Sequence, residues 1–410
     1  MFVTIEKYLQ GEFSRYREVL REMVALNSYT RNPAGVAALG FKTAAFFAPL
    51  GFSAEQIPSE NPEFGPHLVL TRSGTGAHTI SMVSHLDTVF PPEEEQANNF
   101  RWRIDGEQVF GPGTVDIKGG TTVMLMVLEG LRQFFPDVFE ETTWKLFLNA
   151  SEETTNDDFA PLVRAHCTAD TLACLVFEGG AFQNNTFSLV TARKGMAIYR
   201  VIVEGKAAHA GSSHEQGANA IVQMSRTIQQ IAALTDYDRQ LTFNVGTVTG
   251  GVVTNRVPHY AEAWVEMRTF SPAVFADGVA TMMALNGETD LVSADGFPCK
   301  VTVDLMDETA PWPTNDATEF VYRAWEEAAQ ALGVQVQHEE RGGLSDGNDL
   351  WAHFPTIDAL GPSGGAAHCS EHDPENGKSQ EYARLDSFIP KTLLNIAGIL
   401  KLVEHTSALD

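Results

Sequence analysis

At 410 residues, with 43% hydrophobic and 20% charged content, the chain is globular in composition and too long for one ordinary core, so two or three domains are expected. A net charge of −25 with no basic stripe argues against a nucleic-acid partner, because a long-range negative field repels phosphate. No run approaches the ~18 uninterrupted apolar residues of a membrane helix, and Cys167, Cys174, Cys299 and Cys369, scattered without a CxxC pair, read as reduced thiols.

The N-terminal MFVTIEKYLQGEFSRYREVLREMVAL is charged throughout and reads as an amphipathic helix rather than a secretory leader, so a cytoplasmic location is expected. A helix over AGVAALGFKTAAFFAPLGF, strands at HLVLTRS and TISMVSH, a helix over GGTTVMLMVLEGLRQFF and a strand at TWKLFLNA follow. This alternation predicts an α/β class with a doubly wound, mainly parallel sheet. The acidic run PPEEEQ reads as a solvated loop.

From Gly195 the texture changes to a strand MAIYRVIVEGKAAHA, a helix GANAIVQMSRTIQQIAAL, strands within FNVGTVTGGVVTNRVPHYAEAWVEMRTF, a helix around FADGVATMMALNG and a last strand CKVTVDLM. Strand, helix, two strands, helix, strand is the order of a ferredoxin-like α+β layer. Around Asp307 the first pattern resumes, with a helix from Asp316 to Leu332, strands near VQVQHEE and PTIDAL, and a terminal helix SFIPKTLLNIAGILKLVEHT. The prediction is a discontinuous domain, 1–193 and 307–410, with a second domain, 194–306, inserted into it.

Separate stretches run as short apolar strands onto a carboxylate or imidazole: TISMVSHLD at His85 and Asp87, KLFLNASEE at Glu152 and Glu153, LACLVFE at Glu178, and TIDALGPSGGAAH at His368. Open α/β sheets bind ligands beyond the carboxyl ends of their strands, so these groups are predicted to meet at one edge. Imidazole mixed with carboxylate suits Zn²⁺ or a similar divalent ion. His85 reads as a ligand, and Asp87, two residues on, as the carboxylate that orients its second ring nitrogen. Asp116, between a Gly-rich turn and an apolar helix in GPGTVDIKGG, is either a helix N-cap or a carboxylate able to bridge two cations. Glu152 and Glu153 diverge because they are adjacent, so one suits a metal and the other a proton-transfer role. Glu178 precedes a Gly-Gly pair, and His368 has Cys369, Glu371, His372 and Asp373 as rival donors.

Taken in order, SHLDTV, GPGTVDIKGG, the SEE after a strand, FEGG, GKAAHAG, GGVVTNRVP and GPSGGAAH resemble the glutamate carboxypeptidase and aminoacylase family of dizinc amidohydrolases, over nearly the whole chain. The resemblance implies two Zn²⁺ per subunit, with Co²⁺ or Mn²⁺ as substitutes. His85 and Glu178 would hold one, Glu153 and His368 the other, and Asp116 would bridge them. Asp87 falls on the family's supporting aspartate, Glu152 on its general base, and Asp116–Ile117 on a peptide that is typically cis. The implied reaction is attack of water on an amide carbonyl, with Glu152 taking the water's proton and returning it to the leaving amine. The inserted domain becomes a lid and dimerisation domain, implying a homodimer in which His209 stabilises the oxyanion in the partner's site. Asn255 and Arg268 resemble positions that grip the substrate carboxylate, a task suited to a guanidinium fork.

The implied substrate is a small peptide or N-acyl amino acid cleaved next to a free α-carboxylate. N-acyl-amino-acid deacetylases and dipeptidases compete within the class, and a catalytically dead binding protein outside it. GGAFQNNTF and DETAPWPTND carry no Lys or Arg, which disfavours a glutamate side chain; Phe182 and Trp312 would instead wall an apolar pocket. Asp346 in GGLSDGNDL reads first as a helix N-cap.

Overall fold

The computed structural model describes residues 1–154, 158–168, 171–287 and 289–407. Its main elements are α1 (Phe2–Val24), α2 (Pro33–Phe47), β1 (Ser53–Ile57), β2 (His67–Arg72), β3 (Thr79–His85), α3 (Lys118–Phe134), β4 (Thr143–Asn149), β5 (Thr171–Val176), β6 (Gly195–Glu204), α4 (Ala220–Ala233), β7 (Thr242–Gly250), β8 (Tyr260–Thr269), α5 (Pro272–Ala284), β9 (Lys300–Thr309), α6 (Asp316–Leu332), β10 (Thr356–Ile357) and α7 (Leu385–Ser407). They fall into two compact units, one of Met1–Thr191, Thr314–Glu340 and Ser345–Asp410, the other of Ala192–Pro313 and Arg341–Leu344.

The first unit is built on a six-stranded sheet of order β1-β2-β4-β3-β5-β10. Only β2 runs against the rest, so the sheet is mainly parallel. Strand β3 is buried from Ile80 to His85, as expected where helices cover both faces and the strand reads as a continuous apolar run. Register aligns His85 with Asn149 and Val83 with both Phe147 and Val176. Three strands therefore end level, and the residues just beyond them share one edge. Helix α3 is buried without a break from Lys118 to Leu128, because it packs on β3 and against both α1 and α7.

Two sequence readings change here. The run PPEEEQ is not a loop: Pro92–Ala97 is a short helix, begun by a proline at its first position, and Glu95 accepts from Asn27 Nδ2 at 2.8 Å. Pro33–Leu50, although interrupted by Lys42 and Thr43, is long and apolar enough by length and composition to cross a bilayer. Its helix stops at Phe47, and Val36, Leu39 and Phe47 are buried in the core of this unit.

The second unit has the order β7-β9 either side of a central pair, β7-β8-β6-β9, antiparallel throughout, which is the ferredoxin-like arrangement. Strand β6 alternates, with Ala197, Tyr199, Val201 and Val203 buried among Met224, Ile231 and Phe275 of the two helices. Strand β9 runs on to Thr309, past the predicted end at Met306. After a register shift at Ile198/Tyr199, Asp307, Glu308 and Thr309 pair with Ile198, Ala197 and Met196. Arg341–Leu344 also joins this unit: Arg193 Nη1 donates to the carbonyls of Gly343 and Leu344 at 2.9 Å each, and Arg268 Nη1 to Gly342 O at 2.8 Å.

Candidate metal centre

His85 closes β3 fully buried, with Nε2 3.0 Å from Asp116 Oδ1, 3.7 Å from Glu178 Oε1 and 3.9 Å from Glu152 Oε2. The other oxygen of Asp116, Oδ2, faces His368 Nε2 at 3.4 Å, and that nitrogen lies 3.0 Å from Glu153 Oε2. One short carboxylate thus divides its two oxygens between two imidazole–carboxylate pairs. Ligand atoms of His85, Asp116 and Glu153 all lie within 4.8 Å of one another. The N-cap of α3 is Ile117, not Asp116, and the Asp116–Ile117 peptide is cis.

The electrostatics follow from crowding. Burial opposes a charge on His85, yet its hydrogen bonds to Asp116 and Asp87 and the nearby Glu152 and Glu178 raise its basicity well above the usual imidazole range. Hydrogen bonds to Asp116 and Glu153 push His368 up to about 11. Asp116 is held below the carboxylate range by His368 and His85 despite its burial, whereas burial first, and neighbouring carboxylates second, raise Glu152 and Glu153. Asp116, Glu152, Glu153 and Glu178 exceed in negative charge what the imidazoles can offset, and buried charge of one sign calls for cations. The donor set fits divalent-cation binding, and His85, Asp116, Glu153, Glu178 and His368 are the residues that would hold metal.

His368 sits differently from the other predicted strand ends. Strand β10 ends at Ile357, and the chain turns through Gly364–Gly365 to reach His368 at φ 65°, a left-handed conformation. Of its rivals, Glu371 pairs with Lys378 and Cys369 Sγ points to Glu371 O at 3.8 Å; Asp373 caps the turn at Asn376. All four cysteines are free thiols.

Asp87 has a wider task than orienting His85. The nearest partner of His85 Nδ1 is the Asp87 backbone carbonyl, at 3.0 Å, with the carboxylate at 3.4 Å. That carboxylate accepts from Glu152 N at 3.1 Å, Glu153 N at 3.2 Å and Thr30 Oγ1 at 2.7 Å, so it fixes the backbone that carries both glutamates. Asp346 makes no side-chain cap. It is buried and accepts from Asn149 Nδ2 at 2.7 Å, and burial raises its carboxyl to about 8. Glu381 was not singled out in the sequence: it too is buried, accepts from Val115 N and Asp116 N, and is raised to about 8 by burial and by the charge of Asp116. A lone glutamate in the polar stretch after His368 carries no sequence signal of this. Trp312 is 0% exposed, so it presents no open surface to a ligand. Phe182 stacks on Phe187 at 4.2 Å.

His209, Asn255 and Arg268 lie in the second unit. The Nδ1 of His209 accepts from Gly211 N and Ser212 N, both at 3.1 Å, which puts the proton of the neutral ring on the exposed Nε2. Asn255 O accepts from Ala210 N at 3.0 Å, tying the two loops together. Arg268 Nε donates to Glu266 Oε1 at 2.8 Å.

Residues 191–286 match the peptidase dimerisation domain. Carboxypeptidase G2 of Pseudomonas sp. (strain RS-16) is 29% identical over 393 residues, which cover 93% of this chain and 88% of that protein. An M20 family metallo-carboxypeptidase, Sso-CP2 from Sulfolobus solfataricus, shares the fold at a TM-score of 0.68 and 15% identity, over 94% of this chain and 98% of that one. Together the domain match and the full-length relative support a place in the glutamate carboxypeptidase and aminoacylase family of metallopeptidases. Aminopeptidase PepT from Bacillus cereus shares the fold as well, with a TM-score of 0.75 at 22% identity, over 95% of this chain and 98% of that one. These homologues support a metal-dependent peptidase or amidohydrolase, and His85, Asp116 and Glu153 form a metal-competent cluster.

Proposed function

We propose that the protein is a zinc carboxypeptidase that cleaves the amide bond next to a free α-carboxylate, in small peptides or N-acyl amino acids. The division of the Asp116 oxygens between His85 and His368 carries this reading, and the likeness to a carboxypeptidase over most of its length supports it. Two Zn²⁺ ions bound there would polarise the amide carbonyl and acidify water. Glu152, beside His85 and held by Asp87 through its backbone, takes the proton of the attacking water and delivers it to the leaving amine. Arg268 and Asn255 grip the α-carboxylate. In a homodimer, His209 of the partner subunit donates its Nε2–H to the oxyanion.

The test uses metal-free protein reloaded with zinc, cobalt or manganese and offered N-acyl amino acids, dipeptides and their C-terminal amides. Hydrolysis should need metal and a free carboxylate, and Glu152→Gln should cost about 10²–10⁴ in kcat with cation binding retained. Cleavage of the amides as fast as the acids, or an unaffected Glu152→Gln enzyme, would rule the proposal out. The acyl and dipeptide arms separate a deacylase from a dipeptidase.

A further inference from the structure

Glu381 is 0% exposed, a costly place for a carboxylate, and its Oε2 has no hydrogen-bond partner among the described residues. Its Oε1 accepts from two successive amides, Val115 N at 3.0 Å and Asp116 N at 3.2 Å. Its backbone adds two ties: the carbonyl accepts from Gly111 N at 3.4 Å, and the N–H donates to Cys369 O at 2.7 Å. One residue therefore fastens the loop that ends in Asp116 to the loop that carries His368.

Only one methylene separates the Asp116 carboxylate from its backbone, so its oxygens follow the amide that Glu381 holds. The two halves of the centre are supported unequally. His85 ends a strand paired on both sides in the middle of the sheet. His368 lies in a loop three residues beyond the two-residue strand Gly364–Gly365, whose pairing with Tyr382–Ala383 links it through Gln108–Phe110 to the Asp116 side, and the Cys369–Glu381 bond adds a tie next to His368 itself.

We propose that Glu381 is a positioning residue: it sets Asp116 Oδ2 against His368, and so governs cation affinity in the half-site of Asp116, Glu153 and His368, while the sheet governs the half-site of His85 and Glu178. The inference rests on the two-cation reading above. Supporting carboxylates of this kind typically change metal affinity by 10- to 100-fold.

Calorimetric titration of the metal-free full chain with zinc tests it, with His368→Ala used to assign the step belonging to its half-site. Wild type should take up two cations. Glu381→Ala should weaken the assigned step about 10- to 100-fold and leave the other within about threefold. Glu381→Gln keeps an oxygen for both amides and should bind as wild type does. Glu381→Asp retracts the acceptor by one methylene and should weaken the same step, which keeps the question answerable if the alanine variant does not fold. A general loss of stability would move both steps together or lower only the melting temperature. Equal affinities in Glu381→Ala (or Glu381→Asp) and wild type, or equal weakening of both steps, overturns the inference alone; a single cation in wild type overturns the two-cation reading and the inference with it.

Discussion

A carboxylate that accepts backbone N–H groups transmits position rather than charge, and Asp87 does this for the two glutamates on which the chemistry depends. Replacing it by alanine removes the acceptor of Glu152 N, Glu153 N and Thr30 Oγ1, and leaving such donors unsatisfied costs about 1–3 kcal/mol. The Asp87→Ala enzyme should lose about 10- to 100-fold in kcat/KM, as supporting residues in metal sites do, with a lower melting temperature. Thr30→Ala, which deletes one hydrogen bond, should cost only about 1 kcal/mol. An Asp87→Ala protein that melts and turns over like wild type would show that the Glu152–Glu153 backbone holds itself. At this scale the sequence disclosed His85, Glu152, Glu153 and Glu178 because each follows an apolar strand. It disclosed neither Thr30 nor Glu381, whose partners lie 57 and 265 or more residues away and are backbone amides or a carboxylate whose use depends on folding.

Among the elements, the parallel strands were readable because burial on both faces imposes an unbroken apolar run, as in β3. Strand β1 was not, since Ser53, Ala54 and Glu55 are exposed at the sheet edge and nothing in their pattern separates them from a loop. The extension of β9 was hidden for a different reason: the register shift at Ile198/Tyr199 breaks the period on which strand ends are read. Packing between α6 and α7 gives a test at this scale. Trp325 is 0% exposed and donates Nε1–H to Asn395 Oδ1 at 3.0 Å, and a Cβ on Gly398 would come within 2.5 Å of its indole ring. Alanine gains up to about 1 kcal/mol over glycine in a helix interior, but overpacking a rigid ring costs about 1–3 kcal/mol. Gly398→Ala should therefore destabilise the protein by about 1–2 kcal/mol in denaturant unfolding, despite its better helix propensity. A more stable variant would show that the α6–α7 contact yields without cost.

For the whole molecule, the question is what meets the second unit's sheet edge. Among the described residues strand β7 pairs only with β8, and beyond Phe243 it is exposed or half-exposed to its end; an edge of this length left open is a template for another strand. Beside it in apolar character stand Val248 at 58% exposed and, on α4, Ile221 at 41% and Val222 at 39%. All lie within the span matched to the peptidase dimerisation domain. In the proposed homodimer a closed two-fold pairing of this surface with itself would satisfy the edge and cover the side chains in one step, whereas an open arrangement would propagate into fibres. Val248→Lys combined with Ile221→Glu should convert a dimer to a monomer in light scattering after size exclusion. Both residues are exposed in the single chain, so melting of the monomer should be little changed. Cation uptake should survive in that monomer, because His85, Asp116, Glu153, Glu178 and His368 all belong to the first unit, while turnover should fall if His209 acts across the interface. Full activity in a proven monomer would confine the reaction to one chain and remove His209 of the partner subunit from it.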